Sequence, residues 1–581
     1  MFEPRVYRAA FVPALLALVL TMFSLQSRPS PLPQGLAADV LFDGQVAAAE
    51  TARIVDAAPD RRPGGVGDER TAARVARALS ASGFRVPPPQ RFSHAGERLV
   101  NVIGRRAGRS RRQIVVVADR DAATVPDATG SAGDTAALIE LARVLEGRAT
   151  RKTLVLASLD GSTLGEVGAS EFLSELPGAD LVDGVLVMSD LASPERRGSI
   201  VQAWSTNERR AGIGLQRTVA ESVRRELGAS QGGVGSLGQL ARLSFPIGIG
   251  AQAVLLEQGY DAVRIAGSGE LPPGGSGPVD EIDEDNLGAL GRATLRTLTA
   301  LDNGPRPEHG PDSYVTAVSQ VMAGWVLTLL AVTLLLPALV AAIDAFARAR
   351  RQQVEVVPWL RWVAAWVAPF LAALAIAELL ALVGATPAPP PAPVPPDLLA
   401  LDGQALGVLA AVGAAMALAL LLARFLAARP DPGLSRPEPP GAAVALALVA
   451  TGSALVLWLA NPYAGLLVVP AAHLLLLVLL AGVQPSRRVR GALLAVAALP
   501  ALLVAVYYLV ALSMDPLSGA WYLLLLVTGH SVGLLTALVS CLMLGSLCAA
   551  IELVYRSPAE PPESPEAPGP APLGPGFALR R

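Results

Sequence analysis

Apolar and polar residues divide the chain into three parts. An apolar run at residues 9–25 follows Arg5 and Arg8, and a polar region continues to about residue 312. Long apolar runs dominate the remainder, from about residue 317 to residue 553. The first run has the length of a signal peptide or of a membrane anchor. No small-residue cleavage motif follows it closely, which favours an anchor.

The polar region alternates two kinds of apolar pattern. Helical spacing occurs in TAARVARALSASG, DTAALIELARVLEG and VGASEFLSEL, and strand-like runs occur in IVVVAD, TLVLASLD and GVLVMSDL. Such alternation is typical of a parallel sheet covered by helices. We therefore predict an outer α/β domain with a mostly parallel sheet over residues 26–312.

The C-terminal part contains apolar runs that are long enough to cross a membrane. They lie at residues 317–343, 359–384, 404–427, 441–460, 463–482, 491–513 and 519–553. About 20 apolar residues span the hydrocarbon core of a bilayer, so these runs and the anchor predict an all-α bundle of about eight transmembrane helices. The last run is long for one span, and whether it breaks at Gly529-His530 is left open.

The arginine residues predict an orientation. With the anchor counted as the first of eight apolar runs, arginines flank the first run and follow the second, fourth, sixth and eighth. The loops GATPAPPPAPVPPDLLALDG, NPY and SMDPLSG contain neither Lys nor Arg. The positive-inside rule then places both termini in the cytoplasm and residues 26–312 outside the cell membrane. Residues 1–8 become a cytoplasmic N-terminus, residues 386–396 a polyproline-like spacer, and residues 554–581 a disordered cytoplasmic tail.

Composition narrows the class of partner. The 581 residues are 52% hydrophobic and the mean hydropathy is +0.46, which makes membrane lipid an expected partner. The net charge of −2 argues against nucleic acid. Cys541 and Cys548 both lie in the last apolar run, so no disulfide framework stabilises the polar region.

The stretch VVVADRDAA, residues 115–123, contains candidate functional residues at the end of a predicted strand. Its β-branched run ends in Asp119 and Asp121, and the carboxyl ends of strands in an open α/β sheet are where active sites lie. Together with other segments it resembles the zinc-dependent aminopeptidase family. Those segments are RRPGGVGDERTAARVARALSASGFRV, GERLVNVIGRRAG, DTAALIELARVL, LVLASLDGSTLGEVGASEFL, VLVMSDLAS, QGYDAVRIAG and VDEIDEDNLGALGRATLRTL, in the family's order over most of residues 45–300.

The resemblance implies a site with two zinc ions, two histidine ligands, carboxylate ligands and a glutamate base. In this register Asp119 stands where the first histidine is expected, and Asp121 keeps a position that orients that histidine. Without the histidine, we expect Asp121 to have nothing to orient. Asp190 is retained at a ligand position, and Pro273 stands near the place of the last histidine.

Two more positions depart from the family pattern. Ser162 and Thr163 replace the pair of glutamates, which removes the general base and one ligand together. Gly130 falls at the place of the bridging aspartate; Asp127 and Asp134 are near, but Asp134 opens a helix and is interpreted as its cap.

None of the four histidines can be placed at a ligand position of the family. The sequence therefore predicts no zinc cofactor and a peptidase fold that lacks peptidase chemistry. Two alternatives use the remaining groups: a cluster of Asp119, Asp121 and Asp190 could hold calcium through oxygen ligands, and Ser162 could act as a nucleophile. No Gly-x-Ser-x-Gly elbow surrounds Ser162, which disfavours the second.

Ionisable residues within apolar runs are costly in lipid and are functional candidates by default. They are Glu378, His473 and His530. A Glu378–His473 pair could serve as a proton relay, a lipid head-group contact or an interhelical hydrogen bond, and the last is the simplest interpretation. Asn461 is interpreted as a turn residue.

The architecture resembles two groups of proteins, the multispan metallopeptidases of endoplasmic reticulum and vacuole and the Gaa-type subunit of GPI transamidase. The second is thought to work without a complete zinc site. The leading hypothesis is a polytopic membrane protein whose inactive aminopeptidase-like domain binds a protein or peptide partner or serves as a scaffold in a complex. The alternatives are a metallopeptidase with a rebuilt site and a transporter or lipid-handling protein.

Overall fold

The computed structural model describes residues 3–34, 41–228, 234–317, 319–426, 440–480 and 486–556. The tail predicted to be disordered falls outside these ranges from residue 557 onward. The N-terminal segment forms α1 (Pro4–Ala9) and α2 (Val12–Phe23), followed by β1 (Gln26–Ser27).

Within the described residues, the α/β domain contains seven strands and eight α-helices. The strands are β2 (Gln90–His94), β3 (Glu97–Arg106), β4 (Ser110–Asp119), β5 (Lys152–Leu159), β6 (Val182–Ser189), β7 (Val201–Gln202) and β8 (Ala262–Ala266). The helices are α3 (Gly44–Ala57), α4 (Val66–Ala81), α5 (Gly133–Val144), α6 (Val167–Phe172), α7 (Ile213–Leu227), α8 (Ser236–Ser244), α9 (Ala251–Glu257) and α10 (Glu284–Asn303).

The strands form one mixed sheet in the order β2-β3-β5-β4-β6-β8-β7. The four central strands, β5, β4, β6 and β8, are parallel to one another. The pairs β2–β3, β3–β5 and β7–β8 are antiparallel. The predicted fold class is confirmed, with the correction that only the centre of the sheet is parallel.

Helix packing explains why the central strands are apolar throughout. Ile114 to Ala118 in β4 are completely buried, as expected for a strand covered on both faces. Helices α3, α4, α5, α7 and α10 contact one another in one group, and α6 and α9 contact each other and strands β3, β5, β6 and β8. The main hydrophobic core lies between the sheet and these helices.

A small second sheet joins the α/β domain to the apolar helices. β9 (Tyr314–Ala317) and β10 (Gln320–Ala323) form a hairpin, and β1 pairs antiparallel with β10. The apolar run expected to begin a span at residue 317 thus begins in this hairpin, and the helix starts at Gly324. The residues of the hairpin are apolar enough to be confused with a helix in a hydropathy pattern.

The helical region comprises α11 (Gly324–Arg351), α12 (Val357–Leu382), α13 (Gly403–Leu426), α14 (Pro440–Ala460), α15 (Pro462–Leu480), α16 (Arg487–Ala511), α17 (Pro516–Thr528) and α18 (Leu534–Arg556). Within the described ranges, eight helices are long and apolar enough to cross a membrane: the N-terminal segment and all of these except α17. These helices are compatible with a multi-pass membrane protein.

The long final run, which the sequence left open as one span or two, is broken. α17 ends at Thr528, His530 has a φ of 59°, and α18 begins at Leu534. With 13 residues, α17 is about 20 Å long, too short to cross a bilayer on its own.

Candidate functional site

The strand order brings four chain segments together at the carboxyl edge of the sheet. β4 ends at Asp119, β5 leads into the turn 161–166, β6 leads to Asp190, and β8 leads to Ser268. Since β5, β4, β6 and β8 are adjacent and parallel, these segments meet at one edge. The positions that the sequence singled out therefore lie together, with the exception of Pro273, which lies further along the loop after β8 and is half-buried.

The alternation of side chains along β4 separates two groups of charges. Arg120, between the two aspartates, is completely buried and makes a bidentate ion pair with Asp68 of α4, with donor–acceptor distances of 2.8 and 2.7 Å. Its guanidinium also lies 3.6 Å from Asp160. Burial, and then the charge of Asp68, raise the pKa of Asp160 to about 8, while the charge of Arg120 opposes the shift.

Asp121 holds the turn after β5. Its Oδ1 accepts a hydrogen bond from the Ser162 amide at 2.9 Å, and its Oδ2 accepts bonds from the Thr163 amide at 3.0 Å and the Thr163 hydroxyl at 2.9 Å. The expectation that Asp121 has nothing to orient was wrong in this respect, since it orients a loop. Ser162 and Thr163, at the positions of the missing glutamates, serve as its donors.

Asp134 and Asp190 form a second buried connection. The carboxylate of Asp134 accepts hydrogen bonds from the amides of Asp190 at 2.8 Å and Leu191 at 3.0 Å. Asp134 is therefore not the cap of its own helix, as the sequence suggested, but binds the turn after β6. Asp190, at a φ of 53°, accepts bonds from the hydroxyls of Ser189 and Ser268 at 2.9 and 2.8 Å.

Gly130 faces this cluster at the place of the missing bridging aspartate. A Cβ atom at Gly130 would lie 3.1 Å from Asp190 Oδ1 and 2.4 Å from Asp127 Oδ1. A side chain there would need Asp127 to move, since Asp127 Oδ2 is held by the amide and hydroxyl of Ser131 at 3.0 and 2.5 Å. The space of the bridging ligand is thus partly taken by Asp127.

Two residues at the site were missed in the sequence. Glu166 ends the turn after β5 and is 7% exposed, and Arg264 lies in the middle of β8 and is 5% exposed. Glu166 Oε2, Arg264 Nε and Asp119 Oδ1 are enclosed atoms without hydrogen-bond partners in the part of the chain that the structure describes. The available signal was an acid within the turn LDGSTLGEVG and a single arginine in an otherwise apolar strand.

The pKa values of several carboxyl groups at this edge are raised, mainly by burial. Burial, and then the charge of the neighbouring Asp121, raise the pKa of Asp119 to about 7, while Arg264 opposes the shift. Burial also raises the pKa of Asp127 to about 7, and hydrogen bonds from Ser131 oppose that shift. The pKa values of Asp134 and Glu166 are raised well above normal, mainly by burial and then by Asp190 and Asp119 respectively. A neutral carboxyl group is a poor metal ligand.

Two histidines, His94 and His309, belong to the polar region. His94 ends β2 in the hairpin to β3, and His309 binds Asp261 at 2.7 Å and Asp312 at 2.9 Å in the segment before β9. Within the described ranges, no group of three or more His, Cys, Asp and Glu side chains is arranged to hold a metal ion. The donor set is all-carboxylate and mostly engaged in hydrogen bonds, so it does not fit the two-zinc site that the family resemblance implied.

The intramembrane candidates are not brought together. His473 on α15 uses both ring nitrogens, with Tyr7 Oη at 2.6 Å and the Leu334 carbonyl at 2.8 Å, and its ring stacks on Phe11. Glu378 is half-buried on α12, and its enclosed Oε1 has no hydrogen-bond partner among the described residues. His530 is exposed at the break between α17 and α18.

Comparisons with known proteins are consistent with the fold. No family model and no curated protein matches the chain. Solved structures do: a zinc aminopeptidase, BSAP, from Bacillus subtilis (11% identity, TM-score 0.38, covering 45% of this chain and 96% of that one), and a glutaminyl cyclase of an Acidobacteriales bacterium (13%, 0.35, 48% and 99%). A leucine aminopeptidase precursor from Bacteroides thetaiotaomicron is similar at 16% identity and TM-score 0.34, covering 48% of this chain and all of that one (100%).

Two of these solved structures are aminopeptidases, and the sequence suggested a resemblance to the zinc-dependent aminopeptidase family. At identities below 25% the similarity concerns the fold alone, and with TM-scores below 0.5 it adds nothing on function.

Proposed function

We propose that this chain is a multi-pass membrane protein whose α/β domain lies outside the cytoplasm and binds a protein or peptide partner, or serves as a scaffold in a complex, without hydrolysing peptides. Membrane lipid surrounds the apolar helices. No nucleic acid and no zinc cofactor take part.

The observation that carries this proposal is the use of the carboxylates at the sheet edge. Asp121 and Asp134 each accept two backbone amides from a neighbouring loop, which fixes the turns after β5 and β6. A zinc ligand needs its lone pairs for the metal, and a general base needs them for the substrate's proton. Carboxylates committed to loop amides support a rigid surface for recognition better than a reaction centre.

The contacts between the α/β domain and the helices support the proposed orientation. Asn461, in one of the loops without Lys or Arg, donates through Nδ2 to the Leu243 carbonyl at 2.9 Å, besides capping α15 through Oδ1. Ala392, in the loop between α12 and α13, lies in the main core of the α/β domain. Loops that lack basic residues thus meet the domain, in line with the positive-inside rule.

A hydrolysis assay on the full-length protein tests this proposal. We expect no release of nitroaniline from aminoacyl-4-nitroanilides above the rate without protein, for the wild type and for Glu166→Gln alike. Glu166 is the one carboxyl group in the β5 turn, so it would be the base of a rebuilt metallopeptidase. Hydrolysis by the wild type that falls about 100-fold or more in Glu166→Gln would establish the rebuilt enzyme instead.

A further inference from the structure

The loop between α12 and α13 crosses the carboxyl edge of the sheet. We call residues 386–397 of this loop the proline strap; seven of the ten residues from 387 to 396 are proline. Proline has a fixed φ and no amide donor, so such a segment stays extended and forms no strand with the sheet. The interpretation as a free spacer does not describe its position, because the strap is packed against the α/β domain.

One end of the strap lies on the turn after β5. A Cβ atom at Gly165 would lie 2.6 Å from Pro390 Cβ and 2.8 Å from Pro391 Cδ, so only a glycine allows this approach. Gly165 has a φ of 86°, which also favours glycine. The next residue, Ala392, is 4% exposed and belongs to the main core of the domain.

The other end lies on the loops after β6 and β8. Asp397 is 3.7 Å from Arg197, and the Arg197 backbone is bonded to that of Ser268 and Glu270. Since β4 lies between β5 and β6 in the sheet, a segment fixed at the β5 turn and at the β6 and β8 loops passes over the end of β4. That end carries Asp119 and Asp121.

The strap is also held from the side of the apolar helices. Tyr522 of α17 donates its hydroxyl to the Val394 carbonyl at 2.9 Å. A Cβ atom at Gly529, directly after α17, would lie 3.0 Å from Pro389 Cβ. The short helix α17 therefore supports the strap from behind.

We infer that the proline strap occupies the peptide-binding surface of the α/β domain, between the β5 turn and the loops after β6 and β8, and that displacement of the strap by the helices that carry it opens this surface to an extended, proline-rich peptide in trans. This inference deepens the proposed binding function and rests on it for the peptide partner. A tethered segment has an effective concentration of the order of millimolar, so a free peptide cannot compete while the strap is seated.

The experiment uses the full-length protein in detergent micelles with three variants. Ala392→Asp places a charge in the core and unseats the strap, Tyr522→Phe removes one hydrogen bond, and Ala388→Asp makes the same change as the first at an exposed strap position. Hydrogen exchange of the amides of residues 161–168 reports on the turn beneath the strap. Fluorescence anisotropy measures binding of a labelled peptide, TPAPPPAPVPPDLL, which copies residues 386–399.

We expect exchange in residues 161–168 to be about tenfold faster or more in Ala392→Asp, a smaller increase in Tyr522→Phe, and wild-type exchange in Ala388→Asp. Peptide binding should be about tenfold tighter in Ala392→Asp, tighter by a smaller factor in Tyr522→Phe, and unchanged in Ala388→Asp. If Ala392→Asp does not fold, Tyr522→Phe decides the question. Unchanged exchange in the variant that folds contradicts the seated strap.

The peptide and activity measurements separate the two proposals. Faster exchange without any gain in peptide binding would support the contact between the strap and the β5 turn. It would overturn the inference that a peptide binds where the strap lies. Hydrolysis of aminoacyl-4-nitroanilides by Ala392→Asp, but not by the wild type, would overturn the proposed function while leaving the strap in place as an inhibitory segment.

Discussion

Polar groups are buried in two regions of this protein, and they are arranged in different ways. At the carboxyl edge of the sheet, carboxyl groups from several chain segments lie together, and Asp121 and Asp134 hold neighbouring loops. Among the apolar helices, Glu378, His473 and His530 are dispersed, and His473 is satisfied by Tyr7 and a backbone carbonyl. We propose recognition at the sheet edge, where the carboxyl groups are concentrated, and a structural role for His473 among the helices.

The largest expected effect concerns the ion pair behind the sheet edge. Arg120→Met leaves Asp68 buried without its partner, which costs about 3–5 kcal/mol of the free energy of unfolding of the α/β domain. Hydrogen exchange of the β3, β4 and β5 amides in the full-length protein measures this loss. The control is Arg62→Ala, since Arg62 and Asp60 form an exposed pair at 3.5 Å that contributes about 1 kcal/mol or less. Equal losses of stability in both variants would contradict the conclusion that the buried Arg120–Asp68 pair stabilises the α/β domain.

The second effect is a dependence of stability on pH. Asp119 and Asp127 have pKa values of about 7 when folded and near 3.8 when unfolded, so the folded state binds more protons between about pH 4 and 7. Stability therefore falls as the pH rises through this interval, by at most about 1.4 kcal/mol per pH unit for each group.

Asp119→Asn sharpens this expectation, because it removes one of the two titrating groups. Its free energy of unfolding should change less between pH 5 and pH 8 than that of the wild type. At pH 8 it should be higher than the wild-type value. Asp60→Asn, at an exposed position, is the control. Stability of the α/β domain that rises between pH 5 and pH 8 would be inconsistent with buried, protonated carboxyl groups.

The next effect lies among the helices. His473→Phe removes the hydrogen bonds to Tyr7 and Leu334 but keeps an aromatic ring, so we expect a loss of about 1–2 kcal/mol in the stability of the helical region. Glu378→Gln should be neutral within about 0.5 kcal/mol. Thermal unfolding in detergent compares the two. A loss of cellular function in both variants at unchanged stability would instead favour the transporter hypothesis.

The smallest effect separates a structural from a catalytic role in the β5 turn. Thr163→Val removes one of the three hydrogen bonds to Asp121 and should cost about 1 kcal/mol, measured by exchange of the turn amides. Ser162→Ala should be within about 0.5 kcal/mol of the wild type, because Asp121 binds the Ser162 amide and not its hydroxyl. Hydrolysis of aminoacyl-4-nitroanilides by the wild type that is lost in Ser162→Ala alone would favour a nucleophilic serine.

Local patterns were sufficient for much of the fold. The fully buried run Ile114–Ala118 was recognisable as a strand. A break at Gly529-His530 was one of two alternatives that the sequence left open, and the structure has it. The hairpin β9–β10 was not recognisable, because its residues continue an apolar run. The antiparallel edges depend on pairing between strands that are distant in the sequence, which no local pattern encodes.

The site was predictable in its register but not in its contacts. Asp119, Asp121 and Asp190 do lie at one edge, as the order of segments indicated. That Asp134 binds the turn of Asp190 and that Glu166 turns inward are tertiary facts, since a buried acid at a loop end has the same local signal as a helix cap or a solvated residue. The seat of the proline strap likewise depends on contacts between residues that are far apart in the chain.

The central claim is that the carboxyl groups at the sheet edge organise loops and do not hold zinc. Metal analysis of the full-length wild-type protein, purified without chelators and dialysed against zinc-free buffer, tests it most directly. We expect far less than one zinc ion per chain, and the same for Asp119→His, because the pair at Ser162 and Thr163 and the position of Pro273 still lack ligands. About two tightly bound zinc ions per chain would contradict the account.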